Sequence, residues 1–75
     1  MTGEIRELLE TRPFVPFTIH LGDGSAIRVP TEDHILVLPN NARVIVATDG
    51  DDYHIIAPLL ISHLTPDTGS PIANP

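Results

Sequence analysis

Apolar positions along the chain change period once. Across residues 3–11, Ile5, Leu8 and Leu9 fall at i, i+3 and i+4, a single apolar stripe that predicts one short helix. Thr2 is placed to cap its first turn, and Glu4 and Glu7 sit near the positive end of the helix dipole. Pro13 disfavours helical geometry at Arg12 and ends the element. A helix of about nine residues is not stable alone in water, so its stripe must dock on something.

From Phe17 the period is 2. Phe17, Ile19 and Leu21 alternate with Thr18 and His20, the mark of a half-buried strand. Gly22-Asp23-Gly24-Ser25 supplies a tight hairpin, and Ala26 to Val29 returns with Ile27 and Val29 on one face. Pro30 cannot donate to a ladder and marks a strand end, a bulge or an edge, after which Thr31 caps a short turn. Ile35 to Leu38 is an unbroken apolar run, the pattern of a strand covered on both faces; whether 26–38 is one strand or two stays open. Pro39-Asn40-Asn41 turns the chain into a β-branched run from Arg43 to Thr48. Asp49-Gly50-Asp51-Asp52 is a second hairpin signal, leading to a strand from Tyr53 to Ala57. Pro58 breaks that strand, Leu59 and Leu60 fit one helical turn, and Ile61 to Leu64 fits a last strand. Residues 65–75 hold three prolines and a glycine among small polar residues and read as a disordered tail. The fold class expected is mainly β: a short N-terminal helix, then a five- or six-stranded bent antiparallel sheet or small barrel, in one domain over 1–64.

Composition narrows the chemistry. The absence of cysteine excludes disulfides, thiolate zinc sites and a cysteine nucleophile. Ten acidic residues against four arginines and no lysine give a net charge of −6, which argues against a free-standing nucleic-acid binder or polybasic membrane association. The N-terminus lacks the apolar core of a signal peptide, and the uncharged stretch 55–65 is broken by Pro58 and too short to span a bilayer. A cytoplasmic protein without membrane contact is expected. A domain of 75 residues buries only about 60 % of its unfolded surface. Chains this small usually add disulfides, a metal or a partner subunit; with 41 % apolar residues, homo-oligomerisation is the expected supplement here.

Arg12-Pro13-Phe14-x-Pro16-Phe17-x-Ile19, then Asp23-Gly24, then Val29-Pro30, resembles a widespread group of short uncharacterised bacterial proteins. More distantly, the chain is similar to the Sm-like proteins, especially the bacterial RNA chaperones of the Hfq type. These have an N-terminal helix, a first strand ending in a glycine turn, and five bent antiparallel strands. Ile61-Ser62-His63-Leu64-Thr65-Pro66 looks like their closing strand. The resemblance implies a ring of subunits that pair edge strands. The lysine–histidine pair preceding that strand in the chaperones is replaced here by Ala57-Pro58.

Candidate chemistry is sparse, and a non-enzymatic protein with no cofactor or metal is expected. His20, His34, His54 and His63 lack the i, i+4 helical spacing of metalloprotease ligands and read as surface or structural residues able to sense pH. Ser62 and His63, as strand neighbours, are expected on opposite faces, so no serine–histidine dyad is implied. The acidic run 49–52 lacks the twelve-residue loop and closing glutamate of the common calcium motif and reads as a hairpin. Arg12, Arg28 and Arg43 would grip phosphate or partner carboxylates if they met on one rim, with Tyr53 as the stacking residue; otherwise they form intrachain ion pairs. The leading expectation is therefore a homo-oligomeric interaction or scaffold module. The alternatives are an Sm-like ring that binds RNA, conditional on oligomerisation, and an acidic antitoxin-like or inhibitor module that meets a basic protein partner.

Overall fold

The computed structural model describes residues 2–48, 50 and 52–67. Helix α1 spans Thr2–Glu10 and buries Ile5 completely. It starts one residue earlier than its stripe predicts, with Thr2 buried inside the first turn instead of capping it from outside. Its C-terminal carbonyls are closed by side chains. Thr11 Oγ1 donates to the Glu7 carbonyl at 2.9 Å, and Arg12 Nη1 donates to the Leu9 carbonyl at 2.7 Å.

Six strands follow, in two three-stranded antiparallel sheets. They are β1 (Phe17–Leu21), β2 (Ala26–Val29), β3 (Ile35–Val37), β4 (Val44–Ala47), β5 (Tyr53–Ile56) and β6 (Ile61–Pro66). The first sheet has the order β2-β1-β6 and the second β3-β4-β5. Segment 26–38 is thus two strands, parted at Pro30 by a 3-10 turn, Glu32–His34, whose cap Thr31 accepts from the Asp33 N–H at 3.2 Å. The β2–β3 break divides one succession of strands, β6-β1-β2 and then β3-β4-β5, between the two sheets. Among the described residues β5 and β6 do not pair, and the sheets do not close into a barrel.

Alternation decides the core. Phe17 and Ile19 of β1, Val29 of β2, and Val44 and Val46 of β4 are fully buried with Ile5 between the layers. Ile35, Ile56 and Ile61 complete the cluster, with Phe14 packed against it and tilted toward Phe17 at 6.1 Å between ring centres. Burying each large apolar side chain contributes about 1.5–3 kcal/mol, which is how so short a chain offsets its ordering entropy.

Leu59 and Leu60 lie in one helical turn as expected, a 3-10 turn over Pro58–Leu60 with the proline at its start. Two sequence expectations need correction. The run from Ile35 is not covered on both faces: β3 is an end strand of its sheet, and Leu36 is 56 % exposed. Strand β6 continues past Leu64 to Pro66, because the ladder with β1 runs on to Phe17↔Pro66. The rest of the proposed tail, from residue 68, lies outside the described residues.

Candidate functional site

The outer face of the first sheet gathers two of the histidines. His20 and His63 stand opposite each other on β1 and β6, and their rings stack 4.1 Å apart at 6°. Thr65 Oγ1 lies 2.9 Å from His20 Nε2. Ser62 Oγ lies 2.9 Å from His63 Nδ1, a contact that strand alternation argues against and the structure makes. The register shifts between His20 and Leu21, which breaks the simple alternation at this end of β6.

A serine hydroxyl has one hydrogen, which Ser62 shares between two acceptors, the His20 carbonyl at 3.3 Å and His63 Nδ1 at 2.9 Å; the His63 tautomer sets which of them receives it. Among the described residues no three histidine or carboxylate side chains cluster as a metal site. The calcium question falls on Asp49 and Asp51, which lie outside the described residues.

The three arginines each hold their own intrachain partner. Arg12 Nη2 holds Glu32 Oε1 at 2.9 Å, between the helix end and the β2–β3 turn. Arg28 grips Asp67 with two parallel hydrogen bonds, 3.0 and 2.5 Å, reaching across β1 to the far side of the sheet. Each partner favours the other's charge: Asp67 holds Arg28 above its ordinary value, and the Arg28 hydrogen bonds hold the Asp67 carboxyl below the usual carboxylate range. Arg43 donates to its neighbour's carbonyl at Ala42, and Arg6 reaches the Leu38 carbonyl. Tyr53 is exposed on β5.

Sequence reasoning missed the outer face of the second sheet. Ile45 of β4 stands opposite Leu36 on β3 and Ile55 on β5, so the three form a row across all three strands. Leu36 is 56 % and Ile55 60 % exposed, and Tyr53, opposite Ala47, extends the same face. The signal was present in the sequence, since Ile35–Leu38 and Val44–Ala47 are apolar at both parities. Leu59, at 98 % exposure, and Leu60 project from the 3-10 turn.

A second feature is a cleft of about 450 Å³ at the end of the sandwich. It brings His34 and His54 to one site with Arg28, while His20 and His63 stay on the outer face of the first sheet. His54 is opposite the buried Val46 and so has core parity, but it lies where the two sheets part. The His34 ring is tied by Nδ1 to Thr31 Oγ1 at 2.7 Å. No family model, no curated protein and no solved structure matches this chain, so its own geometry carries the functional reading.

Proposed function

We propose that this protein is a non-enzymatic interaction module of small-barrel type that self-associates through the outer face of its second sheet. The observation that carries this reading is the row Leu36–Ile45–Ile55 with Tyr53 beside it. A sheet of three strands with apolar side chains on both faces is ordinarily covered on both, and one chain covers only the inner face. A second copy supplies an equally apolar face, and burying the two against each other adds to the small core of a 75-residue chain. The small-barrel reading draws on strand order. Taken as one strand bent at Pro30, β2 and β3 reduce the chain to a helix and five antiparallel strands in succession.

Light scattering after size exclusion tests the proposal. A dimer or larger assembly at micromolar concentration is expected; a dispersed 8.1 kDa monomer across that range overturns it.

A further inference from the structure

The cleft at the open end of the sandwich combines three properties. First, its size, about 450 Å³, lies within the range of small-molecule sites, and its floor is apolar, from Leu21, Ile27 and Ala47. Second, in a chain with ten acidic residues, the described residues lining the cleft include no carboxylate, while Arg28, His34 and His54 all border it. The Arg28 guanidinium is paired with Asp67.

Third, the cleft runs along a strand edge. Strand β2 ends its sheet, and successive residues of it, Ala26 to Arg28, line the cleft although their side chains alternate between faces. The Leu21 N–H bonds the Ser25 carbonyl at 2.9 Å, which makes that a hydrogen-bonded pair. By the alternation of an antiparallel ladder, Ala26 and Arg28 are then the residues whose N–H groups point away from β1, toward the free edge. Backbone donors and two histidines thus line the cleft beside Arg28, whose guanidinium is drawn over β1 to Asp67.

We propose that this cleft binds a small carboxylate with an apolar body. The carboxylate takes the edge N–H groups of β2 and exchanges with Asp67 on Arg28, and the body covers Leu21, Ile27 and Ala47. Asp67 is then an internal competitor that holds Arg28 in the empty state.

The test is an amide NMR titration of the full chain with hexanoate, beside hexanamide as a neutral molecule of the same shape and inorganic phosphate as an anion without a body. Hexanoate is expected to shift the Ala26 and Arg28 amides saturably, with hexanamide and phosphate each about tenfold weaker or more. Arg28→Gln weakens hexanoate by roughly tenfold, the loss expected for a charge-assisted hydrogen bond. Asp67→Asn removes the competitor while leaving the ligand's own contacts, and tightens hexanoate by roughly threefold or more. Equal binding of hexanamide, phosphate as tight as hexanoate, or an unchanged or weakened affinity in Asp67→Asn overturns the proposal.

Discussion

At Asp23 and Asp67 a short polar side chain organises the backbone or a neighbour, and both carboxyls sit below their ordinary range for identifiable reasons. Asp23 Oδ1 accepts from the Ser25 hydroxyl at 2.6 Å and from the Ser25 N–H at 2.9 Å, closing the β1–β2 turn in which Gly24 adopts a φ of +94°. Asp67 is held down by Arg28. A folded-state value below the unfolded one means stability present above the unfolded value, near 3.8, and lost as pH falls through the folded one. Asp67→Asn is therefore expected to lower the urea midpoint modestly at pH 7, with the gap to the parent narrowing as the pH falls from 3.8 through the lowered folded-state value. A gap that keeps the same size as the pH falls would show that the pair does not act through its charge. The sequence shows Arg28 and Asp67 as isolated charges; their separation of 39 positions hides a pair that only the β2-β1-β6 order brings together.

Among the elements, the clearest contrast lies between β1 and β5. Phe17-Thr18-Ile19-His20-Leu21 alternates cleanly, and its reading as a half-buried strand agrees with Phe17 and Ile19 at zero exposure. Tyr53-His54-Ile55-Ile56 has no such alternation, so parity cannot be assigned from its residues. Pairing with β4 decides it: Ile56 meets Val44 in the core, and Ile55 meets Ile45 outside. If that outer row is an association surface, a charge at its exposed end should break the assembly without unfolding the chain. Ile55→Lys is expected to shift the mass in light scattering to that of the monomer, with the circular dichroism of the sheet retained. Retained association in a folded variant would remove this face from the interface. The 3-10 turns at Glu32–His34 and Pro58–Leu60 follow from prolines and a threonine cap that are legible in the sequence.

For the whole molecule, charge is the lever. The chain carries −6 with neutral histidines, and protonating all four brings it to −2. Repulsion between copies then falls while the apolar face is unchanged, so self-association should tighten as the pH is lowered from about 7 to 5. Sedimentation velocity across that window checks this. An unchanged or falling sedimentation coefficient would mean that net charge does not set the assembly.

The sequence by itself determined the helix, the two turns rich in glycine and aspartate, most strand positions and the exclusion of cysteine chemistry. Each of these rests on local causes: a hydrophobic period, a proline's missing donor, or a residue type that is absent. It also showed four arginines and no lysine against ten acidic residues. Only the tertiary structure decided that 26–38 is two strands, that Arg28 is paired, that Ser62 touches His63, and that Leu36, Ile45 and Ile55 align. These depend on register and on contacts distant in sequence, where a shift of one residue exchanges the two faces of a strand.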